Sequence, residues 1–247
     1  MKKQKLWIVC CLLLSIIACE TPPNSIDETK AAALLADSLS AIARQDSLAE
    51  LAAKKRVPDY DTLKWTELIA LDSTIIVDMK YATTENFVKE KMYNCSRCFL
   101  RPKVAIAVTK AQQILQKKGY GLKMLDCYRP LPIQQKLWDK VPNASYVTPP
   151  KRGSMHNRGS AVDLTIVNAQ GEELDMGTEF DFFGKRAHHD FTDLSPTILA
   201  NRTLLKNTMK DVGFQWIRTE WWHYYFKEGA PGIFPLSKML WSCEEDK

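Results

Sequence analysis

The sequence predicts an α+β fold: a single compact domain with a central antiparallel sheet flanked by helices, preceded by a helical spacer. Three observations predict it. Helix and strand patterns are mixed, and the late strands are not each separated by a helix, which favours an antiparallel sheet over a doubly wound parallel one. About 190 residues follow Val57-Pro58, enough for one domain with one core. The run "FQWIRTEWWHYYF" (214–226) is too aromatic for a surface helix and reads as two strands with a tight connection.

The first nineteen residues read as a targeting segment. "MKKQK" is a short basic start, and "LWIVCCLLLSIIA" is an apolar run too short to span a bilayer comfortably. The run ends in "IIAC", which resembles a bacterial lipobox, so lipidation and cleavage are expected at Cys19. Residues 20–27, "ETPPNSID", read as a tether. Residues 28–56 contain no Gly or Pro and are rich in strong helix formers. Leu35, Leu39 and Ile42 give only a partial apolar stripe. The stretch reads as a solvated helical spacer of roughly 45 Å, with a coiled-coil or partner-binding helix as the alternative. The expected organisation is a signal peptide over 1–19, a tether and spacer over 20–56, and a folded domain over 57–247.

Within the domain, "TIIVDMKYAT" (74–83) reads as a strand leading into a loop. "KVAIAVTKAQQILQKKGYG" (103–121) has helical spacing at Ala107, Ala111, Ile114 and Leu115, with Gly119 at its end. "LKMLDCYRP" (122–130) is a strand stopped by Pro130. Residues 133–140 form a helix and "SAVDLTIV" (160–167) a strand. "ILANRTLLKNTMKDV" (198–212) is a helix closed by Gly213.

The formal charge of +5 falls to +2 once Lys2, Lys3 and Lys5 leave with the signal segment. That balance gives no nucleic-acid partner, which would need a clustered basic face. No protein partner is evident either.

Only four histidines occur in the 247 residues. One lies in "SMHNRGSAVD" (154–163), seven residues before Asp163. A catalytic zinc takes three protein ligands and leaves a position open for water. On a straight strand a spacing of seven puts His156 and Asp163 on opposite faces. They converge only if the chain turns between them, which Gly159 permits. "TEWWHYYF" adds His223 as a third candidate ligand and Glu220 as a candidate general base. Taken singly, each has a plainer reading: a packed histidine, a solvated glutamate. His188 and His189 sit in a polar run and read as structural.

Together these residues become recognisable. Ser154-x-His156-x-x-Gly159-x-Ala161-x-Asp163, followed by Glu220-x-Trp222-His223, resembles the zinc peptidases that cut D-Ala-D-Ala. "YATTENF" (81–87), "DCYRP" (126–130), "GSAVDLTI" (159–166), "MGTEFDFF" (176–183) and "EWWHY" (220–224) narrow the resemblance to the D-alanyl-D-alanine dipeptidase family. That family includes the dipeptidases of vancomycin resistance. The resemblance runs over residues 65–235 in consistent order.

The resemblance implies a zinc D,D-peptidase or hedgehog-like fold. It implies that His156, Asp163 and His223 hold one Zn²⁺ per chain and that Glu220 is the base. Arg129 would stabilise the oxyanion, a role that suits a charged, rigid fork of donors. Asp181 and Tyr81 would meet the amino end of the substrate, and Ser154 its carboxylate. The implied substrate is D-Ala-D-Ala or a related cell-wall dipeptide. A D,D-carboxypeptidase acting on longer stem peptides and a non-catalytic wall-binding lipoprotein stand as alternatives.

The lipobox and the spacer depart from the cytoplasmic resistance enzymes. The expected location is therefore exported, lipid-anchored to a bacterial membrane, with the catalytic domain in the periplasm. An exported chain favours disulfides. Past Cys19 only Cys95, Cys98, Cys127 and Cys243 remain, and sequence alone does not choose among their three pairings. The expected pairs are Cys98–Cys127, which would tie a loop to the strand presenting Arg129, and Cys95–Cys243.

Overall fold

The computed structural model describes residues 60–229 and 234–243, together with Ala36 and Ser40. The chain divides into two units, Met1–Val57 and Pro58–Lys247. In the first unit the two described positions, Ala36 and Ser40, are helical. The signal segment, Cys19 and the rest of the spacer lie outside the described residues.

The second unit is an α+β fold. Two short strands, β1 (Thr66–Glu67) and β3 (Phe99–Leu100), pair antiparallel. Between them come a single helical turn, α1 (Leu68–Leu71), and strand β2 (Ile76–Val77). Helix α2 (Pro102–Gln116) follows, then β4 (Gly121–Asp126), helix α3 (Leu131–Lys140), β5 (Ala161–Val167), helix α4 (Pro196–Asp211), β6 (Phe214–Trp216) and β7 (His223–Phe226). The main sheet runs β2-β4-β5-β7-β6.

That sheet is mixed rather than purely antiparallel. Strands β4, β5, β7 and β6 pair antiparallel, but β2 lies parallel to β4. The chain between β2 and β4 passes through α2, the long crossover that a parallel pair needs. The stretch 74–83, expected as a strand leading into a loop, forms the two-residue strand Ile76–Val77 followed by a loop that coils into a 3₁₀ turn at Lys80–Ala82. The connection between β6 and β7 is an open loop over 217–222 rather than a tight turn, and it carries Glu220.

Local chemistry explains the long elements. Pro102 and Pro196 start α2 and α4, where a missing N–H costs nothing. The Ser195 hydroxyl caps α4 by accepting from the Ile198 N–H at 3.3 Å. Helix α2 buries Val104, Val108, Ala111 and Leu115 on one face. All seven residues of β5 are buried, as befits the middle of a sheet covered on both sides. Val162, Leu164 and Ile166 enter the main core, together with Leu122, Met124, Tyr224 and Leu205. The alternate residues of β5 face the other way, and Asp163 is among them.

Two disulfides join the loop before β3 to the rest of the unit, Cys98 to Cys127 just past β4 and Cys95 to Cys243 in the C-terminal segment.

Candidate metal centre and active site

Three neighbouring strands bring the site together. Asp163 on β5 is in register with Asp126 at the end of β4 and with His223 at the start of β7. Strand alternation sends Tyr224 and Phe226 into the core, which turns His223 to the same side as Asp163. A register irregularity between Met124 and Asp126 breaks the strict alternation of β4 at that point.

His156 arrives from a different direction, on the 3₁₀ turn His156–Arg158. Gly159 ends this turn with φ +71, and a Cβ there would lie 2.3 Å from the Trp65 ring. Only glycine satisfies both conditions. The turn performs the reversal that the seven-residue spacing demanded.

The ligand atoms of His156, Asp163 and His223 lie within 4.8 Å of one another. Asp163 Oδ1 is 2.9 Å from His223 Nδ1 and 3.4 Å from His156 Nε2. His156 Nε2 is 3.1 Å from His223 Nδ1. Tetrahedral zinc with bonds of 2.0–2.2 Å places its ligand atoms about 3.3 Å apart. Two imidazoles and one carboxylate at these spacings fit that ion.

The tautomer of His156 is set by its surroundings. Its Nδ1 lies 2.7 Å from the Cys127 carbonyl oxygen. A carbonyl only accepts, so Nδ1 carries the proton and the Nε2 lone pair faces Asp163 and His223. Burial opposes charge on Asp163, yet His156 and His223 hold its carboxyl below the usual carboxylate range.

Glu220 sits on the loop between β6 and β7, with Oε2 3.9 Å from His223 Nδ1. Burial pushes its carboxyl upward and outweighs the opposing pull of His223. That is the direction a general base at neutral pH requires.

Arg129 is clamped from several sides. Its Nε and Nη2 donate to Asp126 Oδ2 at 3.0 and 2.7 Å, and its Nη1 donates to Gln134 Oε1 at 3.0 Å. Its backbone N–H donates to the His156 carbonyl, and its own carbonyl accepts from Asn157 Nδ2. The guanidinium lies over the Tyr81 ring at 4.8 Å. Burial opposes its charge, but Asp126 more than compensates and keeps it cationic. Arg129 lines the cavity beside the three candidate ligands, held there by these contacts.

Tyr81 donates to Asp181 Oδ2 at 2.9 Å. Asp181 holds a left-handed φ of 59°, unusual for a non-glycine residue. Burial, followed by the nearby Asp163 charge, pushes the Asp181 carboxyl well up. An arriving cation would reverse that shift. The Ser154 N–H donates to Asn157 Oδ1 at 2.7 Å, which fixes the loop before His156.

One cavity of 510 Å³ gathers all these groups. Tyr81, Arg129, Ser154, His156, Asp163, Asp181, Glu220 and His223 all line it. A neighbouring cavity of 890 Å³ contains none of the three candidate ligands. His188 and His189 line neither cavity. His188 Nδ1 lies 3.0 Å from Arg218 Nη1, and the His189 backbone N–H donates to the Arg218 carbonyl.

Several residues of the site went unassigned in the sequence reading. Asp126 holds Arg129 and lies 3.4 Å from His156 Nδ1. Its signal was present, an aspartate three residues before the arginine in "DCYRP". Phe87, Tyr146 and Phe183 gave no comparable signal, because only the fold brings them to the cavity, and Gln134 and Asn157 reach the site only through their bonds to Arg129.

A family model described as D-ala-D-ala dipeptidase matches residues 61–233. The chain is 34% identical over 183 residues to a D-alanyl-D-alanine dipeptidase of Escherichia coli, covering 74% of this chain and 94% of that protein. It is 33% identical over 168 residues to a D-alanyl-D-alanine dipeptidase of Enterococcus faecalis, covering 60% and 83%. Among solved structures it is similar to a vancomycin-resistance D,D-pentapeptidase, VanY, in complex with Zn(II). There the TM-score is 0.37 and the identity 15%, over 55% of this chain and 75% of that one. It is also similar to the LdcB LD-carboxypeptidase, with a TM-score of 0.40 and 17% identity over 71% and 74%.

Proposed function

The chain belongs to the D-Ala-D-Ala dipeptidase family of metallopeptidases, and from that premise we propose that it hydrolyses D-Ala-D-Ala, or a closely related wall dipeptide, with one zinc ion. The observation that carries this reading is the convergence of His156, Asp163 and His223 beside Glu220 in one cavity.

His156 through Nε2, Asp163 through Oδ1 and His223 through Nδ1 would hold the ion. When bound, zinc supplies Lewis-acid polarisation of a peptide carbonyl and acidifies water to near neutrality. The remaining steps belong to the chain. Glu220 takes a proton from the attacking water as the C–O bond forms. It then gives that proton to the leaving nitrogen as the C–N bond breaks, so two free amino acids depart. Arg129, which lines the same cavity, stabilises the negative charge that develops on the former carbonyl oxygen. The Asp126 clamp holds the guanidinium in place before substrate arrives. Asp181 pairs with the substrate ammonium, and Ser154 donates to its carboxylate.

The location is part of the same proposal. The apolar segment ending at Cys19 supports export and lipid anchoring, and the spacer would hold the domain away from a bacterial membrane in the periplasm. An enzyme placed there meets dipeptides derived from the wall.

The test is to incubate the purified protein with D-Ala-D-Ala, L-Ala-L-Ala and a pentapeptide stem, each with and without chelator. The expected outcome is chelator-sensitive cleavage of D-Ala-D-Ala alone. Chelator-resistant cleavage, or cleavage of the pentapeptide in preference to the dipeptide, would overturn the reading.

A further inference from the structure

Tyr146 and Phe183 stack on each other with ring centroids 4.4 Å apart and planes at 28°. Both line the 510 Å³ cavity, and both are partly exposed, Tyr146 by 48% and Phe183 by 40%. They therefore meet where that cavity opens to solvent. They also come from different segments of the chain. Tyr146 lies on the loop that leads to Ser154, and Phe183 follows Asp181 by two residues.

Phe87 comes from a third segment. It meets Phe183 edge-on at 5.0 Å and Tyr81 at 6.2 Å. Phe87, Asp181 and Phe183 line both the 510 Å³ cavity and the neighbouring 890 Å³ cavity. These three side chains are thus the wall between the two spaces. The wall stands at the end of the site where Asp181 would take the substrate ammonium. Beyond it the larger cavity is edged by polar and charged residues, Lys80, Glu85 and Glu179 among them, a lining suited to the polar backbone of a peptide.

We infer that Phe183, backed by Phe87 and stacked on Tyr146, is a specificity-determining partition that limits the substrate to a free dipeptide. The inference rests on the dipeptidase reading above. A peptide extended at its amino end would have to pass from Asp181 through the position of the Phe183 ring. Removing that ring joins the dipeptide cavity to a space that already exists. The ring partners of Phe183 are Phe87 and Tyr146, neither of them a catalytic group or a candidate ligand.

The experiment compares wild-type protein with Phe183→Ala, Tyr146→Ala and Phe183→Tyr on D-Ala-D-Ala and on L-Ala-D-Ala-D-Ala. The readout is kcat/KM for each peptide, with zinc content measured on every sample. Phe183→Ala should raise the absolute kcat/KM on the tripeptide by about 10-fold or more, the scale on which pocket-wall contacts discriminate substrates. Tyr146→Ala, which removes the other half of the stack, should move it the same way. Phe183→Tyr keeps the ring and should leave the tripeptide excluded. A gain on the tripeptide is not what mere loosening of the fold produces. If wild type cuts the dipeptide but neither alanine variant gains on the tripeptide, the partition is overturned and the dipeptidase reading stands. If wild type spares the dipeptide while Phe183→Ala cuts the tripeptide, the partition stands and that reading falls. If no variant cuts either peptide, both fall.

Discussion

Asp163 and His223 face each other in register across β5 and β7, with Oδ1 and Nδ1 2.9 Å apart. They are sixty residues apart in the chain. Strand pairing, not sequence proximity, makes them neighbours, and the site inherits its rigidity from the centre of the sheet. This has consequences that mutagenesis can read.

Glu220 is placed by the loop between β6 and β7 and contributes nothing to the core. Glu220→Gln should keep the fold and the zinc but lose kcat by ~10²–10⁴-fold, the usual contribution of a general base. Steady-state kinetics with metal analysis on the same sample checks this. A variant that kept more than about a tenth of wild-type kcat would assign the base elsewhere.

Arg129 and Asp126 form a buried pair, and the two partners should fail differently. Arg129→Lys keeps the charge but loses the fork, so kcat should fall by ~10²–10³-fold with zinc retained. Asp126→Ala leaves a buried guanidinium without its counter-charge. It should cost about 3–5 kcal/mol of stability, read in a denaturant melt.

The Cys98–Cys127 bond closes a loop of 29 residues. Its removal in a Cys98→Ala/Cys127→Ala variant should cost roughly 3–4 kcal/mol by the chain-entropy argument. The Cys127 carbonyl also sets the His156 tautomer, so zinc affinity should weaken along with stability. Non-reducing peptide mapping of protein from an oxidising compartment should find the bond. Free thiols at both positions would contradict it.

His189 supplies a pH dependence away from the metal. Burial, followed by the charges of Lys206 and Arg202, lowers its pKa from 6.5 to about 4. The unfolded chain therefore binds a proton that the folded chain refuses between those two values. Stability should be full above pH 6.5 and decline as the pH falls towards 4, by at most about 3 kcal/mol at ~1.4 kcal/mol per unit. His189→Gln should flatten that part of the curve. An unchanged slope would mean that other groups set it.

Much of this was legible in one dimension. The helical spacing of Ala107, Ala111 and Leu115 became α2, and the apolar alternation around Asp163 became β5. The candidate ligands stood out because histidine is scarce here and His223 sits beside Glu220 in an aromatic strand. What sequence did not carry was pairing. The parallel alignment of β2 with β4 leaves no mark on a two-residue strand. The meeting of Phe87, Tyr146 and Phe183 joins three loops whose separations follow no period. The Asp126 clamp was visible as spacing, but its importance depends on burial, which only the fold supplies.

The measurement that tests the account most directly is zinc content per chain in wild-type protein and in a His156→Ala/His223→Ala variant, both shown to be folded. The donor set predicts one zinc in the wild type, released by chelator, and none in the variant. Full metal content in the folded variant would contradict the assignment of the site.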